Sequence, residues 1–85
     1  MKKLIEEVEN EGLIKLMGDR VTFFCLNYIY TGKLIGVNEQ FVKLEDAAIV
    51  YETGEFTNKE WKDAQKLPKP VYVMLSTVES FSVLK

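Results

Sequence analysis

Apolar and polar positions alternate in ways that predict strands along most of the chain. From Val21 to Leu26 (VTFFCL) the residues are apolar on both alternations, the pattern of a strand covered on both faces. Between Tyr30 and Ala48 (YTGKLIGVNEQFVKLEDAA), Leu34 and Val37 alternate with more polar neighbours, Asn38 and Glu39 interrupt, and Phe41, Val42 and Leu44 open a second apolar run. That spacing predicts a β-hairpin, which continues through Ile49, Val50 and Tyr51 until Thr53-Gly54 stops it. Gly32 and Gly36 weaken a flat strand at their positions and permit a sharp bend. Val71 to Leu75 (VYVML) is a nearly continuous apolar strand, Ser76 to Glu79 a tight connection, and Ser80 to Leu84 (SFSVL) alternates again. The expected fold is mainly β, a small and strongly bent five-stranded sheet in a single domain over residues 1–85.

Two segments carry helical signals instead. Leu4, Ile5 and Val8 predict a short amphipathic helix from Lys2 to about Asn10, broken near Gly12, with Leu13, Leu16 and Met17 adding a further turn. Its lysines come first and its glutamates last, against the helix dipole, so docking rather than propensity must hold it. In Phe56-Thr57-Asn58-Lys59-Glu60-Trp61, Thr57 and Glu60 form a capping box, and Phe56 with Trp61 a hydrophobic staple. This predicts an inserted helix over 57–67, ended by Pro68-Lys69-Pro70. On that helix Lys59, Lys62, Lys66 and Lys69 would form one stripe, either a solvated face or a contact for phosphates.

The run Gly32-Lys33-Leu34-Ile35-Gly36-Val37-Asn38, followed by Val42-Lys43-Leu44-Glu45-Asp46-Ala47, resembles the glycine-hinged motif of the Sm/LSm superfamily. Glu39-Gln40-Phe41-Val42 is similar to the Asp-Gln-Phe-Val turn of the Hfq-like branch, whereas the Met-Asn pair of the eukaryotic and archaeal members is absent. Gly18-Asp19-Arg20-Val21 looks like the family's lead-in to its first strand. The resemblance implies an Sm-like barrel with an N-terminal α-helix, the helix 57–67 being an insertion between the third and fourth strands. It also implies that the last two strands remain open edges. Apolar edges of this kind pair with further copies, so Val71, Val73, Leu75, Phe81 and Val83 are the expected interface of a homo-oligomeric ring of about five to eight subunits.

In that family, single-stranded RNA is held between the turn after the second strand and the connection between the last two. Here those positions supply Asn38, Gln40, Phe41 and Ser76, for a U-rich or A-rich strand. Phe41 is equally readable as a core strand residue. Leu75-Ser76 stands where the family carries a basic residue, and the net charge of −2 withholds the general attraction that phosphate contacts supply. A ring-forming structural or protein-interaction module without RNA binding is therefore the second expectation.

Composition narrows the chemistry further. The chain has no histidine and a single cysteine, Cys25. The commonest general base and metal ligand are therefore missing, and no internal disulfide can form. Glu45 and Asp46 are adjacent on a strand and so point to opposite faces. No catalytic residue, metal or cofactor is expected. No apolar run approaches the roughly 18 residues of a membrane span, and Glu6-Glu7 interrupt any signal-peptide core. A cytoplasmic protein is the expectation. Tyr28, Ile29 and Tyr30, bulky residues following Asn27 at a hairpin tip, serve either an interface or base stacking.

Overall fold

The computed structural model describes residues 2–6 and 11–85. A single helical turn, α1 (Gly12–Lys15), precedes β1 (Arg20–Cys25), β2 (Ile29–Val37), β3 (Phe41–Glu52), β4 (Asp63–Lys66), β5 (Val71–Met74) and β6 (Val78–Ser82). A 3-10 turn, Leu75–Thr77, joins the last two strands. All pairings are antiparallel in one sheet of order β4-β3-β2-β1-β6, with β5 also paired to β3. Among the described residues β5 and β6 do not pair with each other, so the sheet bends without closing.

The bend is concentrated in β3. Thr31 pairs with Ala48 and Lys33 with Glu45, so the two residues Asp46 and Ala47 oppose Gly32 alone in a β-bulge. Asp46 adopts a left-handed φ of 48°. Aspartate tolerates that region better than most residues but still at a cost. Arg20 holds it in place: Nη1 donates to Asp46 Oδ2 and Nη2 to the Asp46 carbonyl, each at 3.0 Å. A Cβ on Gly32 would stand 3.1 Å from the Ala47 Cα and from the Leu44 Cβ. A side chain there would push Ala47 and Leu44 back by a few tenths of an ångström, whereas at Gly36 the nearest atom, the Lys43 Cβ, lies at an ordinary 3.4 Å.

Because β3 bends, its halves face different partners. Phe41–Leu44 pair with β5 and Ala48–Glu52 with β4. Pro68 and Pro70 lie in the break between β4 and β5, where no ladder N–H is needed, and Leu67 N–H closes the gap by donating to the Ala47 carbonyl at 2.8 Å. Val21, Phe23, Leu34, Val42, Leu44, Ala47 and Val73 fill the core, with Leu13 of α1 packed against them. On the opposite face Thr22 and Thr31 are buried and joined through their hydroxyls at 3.3 Å.

Three expectations are corrected. The inserted helix over 57–67 does not form: residues 56–60 make turns, and Asp63–Lys66 form a sixth strand. The capping box is a local signal, and pairing with the otherwise uncovered half of β3 outweighs it. Phe56 and Trp61 still meet, edge to face with centroids 6.4 Å apart, but in a turn. Over residues 2–6 the helix expected from Lys2 to Asn10 is absent, and its remaining positions 7–10 lie outside the described residues. The dipole conflict noted above removes any intrinsic reason for a helix there. The five-strand barrel becomes an open, bent sheet of six strands.

Filling the space at Gly32 should cost more than filling it at Gly36. Gly32→Ala is expected to lower unfolding free energy by about 1–3 kcal/mol, the usual range for overpacking, and Gly36→Ala by less. Urea melts of the two variants check this, and equal midpoints would remove the role given to the crossing.

Candidate functional site

Two regions gather polar and aromatic side chains. The first is the end of the sheet where the β2–β3 turn meets the turn after β5. Asn38 caps the former: its Oδ1 accepts the N–H groups of Gln40 and Phe41, both at 2.8 Å, an Asx-type turn. Leu75 N–H donates to the Gln40 carbonyl at 2.9 Å, which ties the two turns together and brings Ser76 to the same end. Phe41 stands edge-on to Tyr72 with centroids 5.2 Å apart, and Lys43 Nζ lies 5.4 Å above the Tyr72 ring.

The structure thus gathers Asn38, Gln40, Phe41 and Ser76, and adds Tyr72 and Lys43, which sequence reading missed. Lys43 and Tyr72 are cross-strand partners, a relation that only register reveals. Gln40, Asn38 and Ser76 are exposed, while Phe41 is half-buried against β5.

On β5 the outward row differs from the expected one. Val73 is buried in the chain's own core, and Val71 and Leu75 pack against that core. Tyr72 and Met74 are exposed instead. A nearly continuous apolar strand does not disclose which alternation faces inward. Phe81 and Val83 are exposed as expected of edge residues, although Phe81 also packs on Phe23 at 5.9 Å.

The second region is a cleft of about 580 Å³ on the face that carries Thr22 and Thr31. Thr31 and Ala48 form its floor, and Arg20, Lys59, Lys62, Lys66 and Lys85 surround it together with Trp61. The lysine stripe expected on a helix therefore does gather, except for Lys69, but by a turn and a strand rather than by helical spacing. Lys85 fixes the wall. Its ammonium donates to the carbonyls of Thr53, Glu55 and Glu60 at 3.0, 2.8 and 3.1 Å, and it lies 4.6 Å from the Trp61 ring centroid. Phe56 completes the cluster, edge-on to Phe24 at 6.5 Å.

Asp46 is committed to Arg20, and no group of three potential metal ligands occurs among the described residues. Burial pushes the Cys25 thiol up; a hydrogen bond from Thr77 opposes that rise, and the charge of Glu79 adds to it. A raised thiol is less ionised at neutral pH and less nucleophilic. Among the described residues no helix is long and apolar enough to cross a membrane.

Two outcomes follow. Lys85→Ala should shift Trp61 fluorescence to the red and speed amide exchange over residues 53–62, with the core amides unchanged, since the clamp touches only the turn carbonyls. Cys25 should alkylate more slowly in the folded chain than in urea at about pH 8, the gap narrowing as pH rises toward its raised value; equal rates would contradict the burial.

Comparison with protein-family models, with curated proteins and with solved structures gives no match to this chain.

Proposed function

We propose that this chain is a non-catalytic, Sm-like module that assembles into a ring with copies of itself and holds single-stranded RNA, U-rich or A-rich, at the end where its two turns meet. The observation that carries the reading is the Leu75 N–H to Gln40 carbonyl bond, which sets Gln40 and Phe41 beside Ser76, Tyr72 and Lys43. An exposed amide, paired aromatic rings and a cation at one end suit an unstacked base and its phosphate. The strand order β6-β1-β2-β3-β5 and the sharp bend opposite Gly32 support the Sm-like assignment. A cytoplasmic setting accompanies it.

Self-assembly is supported by surface. Tyr72, Met74, Phe81 and Val83, on and beside two unpaired edges, are among the chain's exposed apolar side chains. The second reading is an interaction ring without RNA. It is favoured by the net charge of −2 and by the absence of a cation at Ser76 itself.

Light scattering should give a mass several times 9.8 kDa. The double variant Tyr72→Lys/Met74→Lys should yield smaller species, and an unchanged elution volume would count against edge pairing. Oligo-U and oligo-A should bind saturably in anisotropy at about 50 mM salt and more weakly at about 150 mM, with Gln40→Ala/Lys43→Ala weakening them. An assembled chain that binds neither oligonucleotide at either salt is the interaction ring instead.

A further inference from the structure

The cleft beside Trp61 is chemically unlike the end that the proposed function uses. Five cations border it with two carboxylates, Glu60 and Asp63, while Asp46 and Glu52 neutralise two of the five, which leaves one positive charge in excess in a chain whose overall charge is −2. These cations come from separate parts of the chain: Arg20 from β1, Lys59 and Lys62 from the turn, Lys66 from β4, and Lys85 beyond β6. Arg20 and Lys62 are engaged by Asp46 and Glu52, at 3.0 and 3.1 Å, and Lys85 by its three carbonyls. Lys59 and Lys66 have no carboxylate at ion-pair distance among the described residues. Positive charge gathered about one concavity repels a metal ion and calls for an anion.

Size and lining narrow the anion. A cleft of about 580 Å³ lies within the range of small-molecule sites and far exceeds what inorganic phosphate fills. Its floor is the buried Thr31 and the apolar Ala48, and its wall offers the Trp61 indole, held by Lys85. Phosphate at the lysines and a heterocycle at the indole would satisfy both parts of the lining.

We propose that this cleft binds a free nucleoside phosphate, with Lys59 and Lys66 on the phosphates and Trp61 against the base. The site is built from one subunit and does not depend on the RNA reading.

Calorimetric titration of the full chain with ADP and UDP tests it, with adenosine and inorganic phosphate as partial ligands. One site per subunit is expected, with a Kd below about 1 mM, and both partial ligands weaker by at least about tenfold. Lys66→Glu should weaken ADP by about tenfold or more. Lys15→Glu, the same charge change on α1 outside the cleft, should leave it within about twofold. Thermal melts confirm that both variants fold. Absence of saturation by either nucleotide would overturn the proposal, as would equal losses from the two variants, which would mark diffuse attraction only. Competitive displacement of ADP by oligo-U would also overturn it, by making the cleft part of an RNA path. Failure of oligo-U to bind at all leaves the nucleotide result standing.

Discussion

The place where Asp46 and Ala47 crowd past Gly32 governs the architecture. An unbent strand of twelve residues would present one edge to one partner. With the bulge, β3 turns across the molecule and presents β5 with its first half and β4 with its second. The cost is a left-handed aspartate, roughly 1–2 kcal/mol for an L-residue. The exposed Arg20 pair offsets only part of it, since such pairs contribute up to about 1 kcal/mol. Packing of Leu34, Val42, Leu44 and Ala47 on the concave side holds the remainder.

The bend was legible because glycine in an otherwise apolar strand has few explanations. Sequence also disclosed the strands themselves, where alternation and β-branched residues agree. What it concealed was anything settled by pairing. Residues 57–67 carry a well-formed helix start, yet Ala64, Gln65 and Lys66 lie against Val50, Ile49 and Ala48 in the ladder. A capping signal is short-range, and the backbone groups it competes with belong to residues some fifteen positions earlier. The alternation of β5 was equally hidden, because Val71, Tyr72, Val73 and Met74 are all apolar enough to face either way.

The two candidate regions show the same division. Asn38, Gln40 and Phe41 are contiguous, so a turn motif places them. Arg20, Lys66 and Lys85 share a cleft only after β1, β4 and the stretch beyond β6 have been laid down. Their sum is invisible in an acidic composition, where −2 averages a basic concavity with an acidic remainder.

The way Lys85 grips residues 53–60 has an evolutionary corollary. A helix at this position would couple every insertion or deletion to a rotation of its faces, and so to the packing beneath. A connection held by the Lys85 ammonium and by Phe56 packed on Phe24 has no such periodicity. Residues of this connection that make none of these contacts can change without turning a helical face against the sheet, so β3 and β4 keep their alignment.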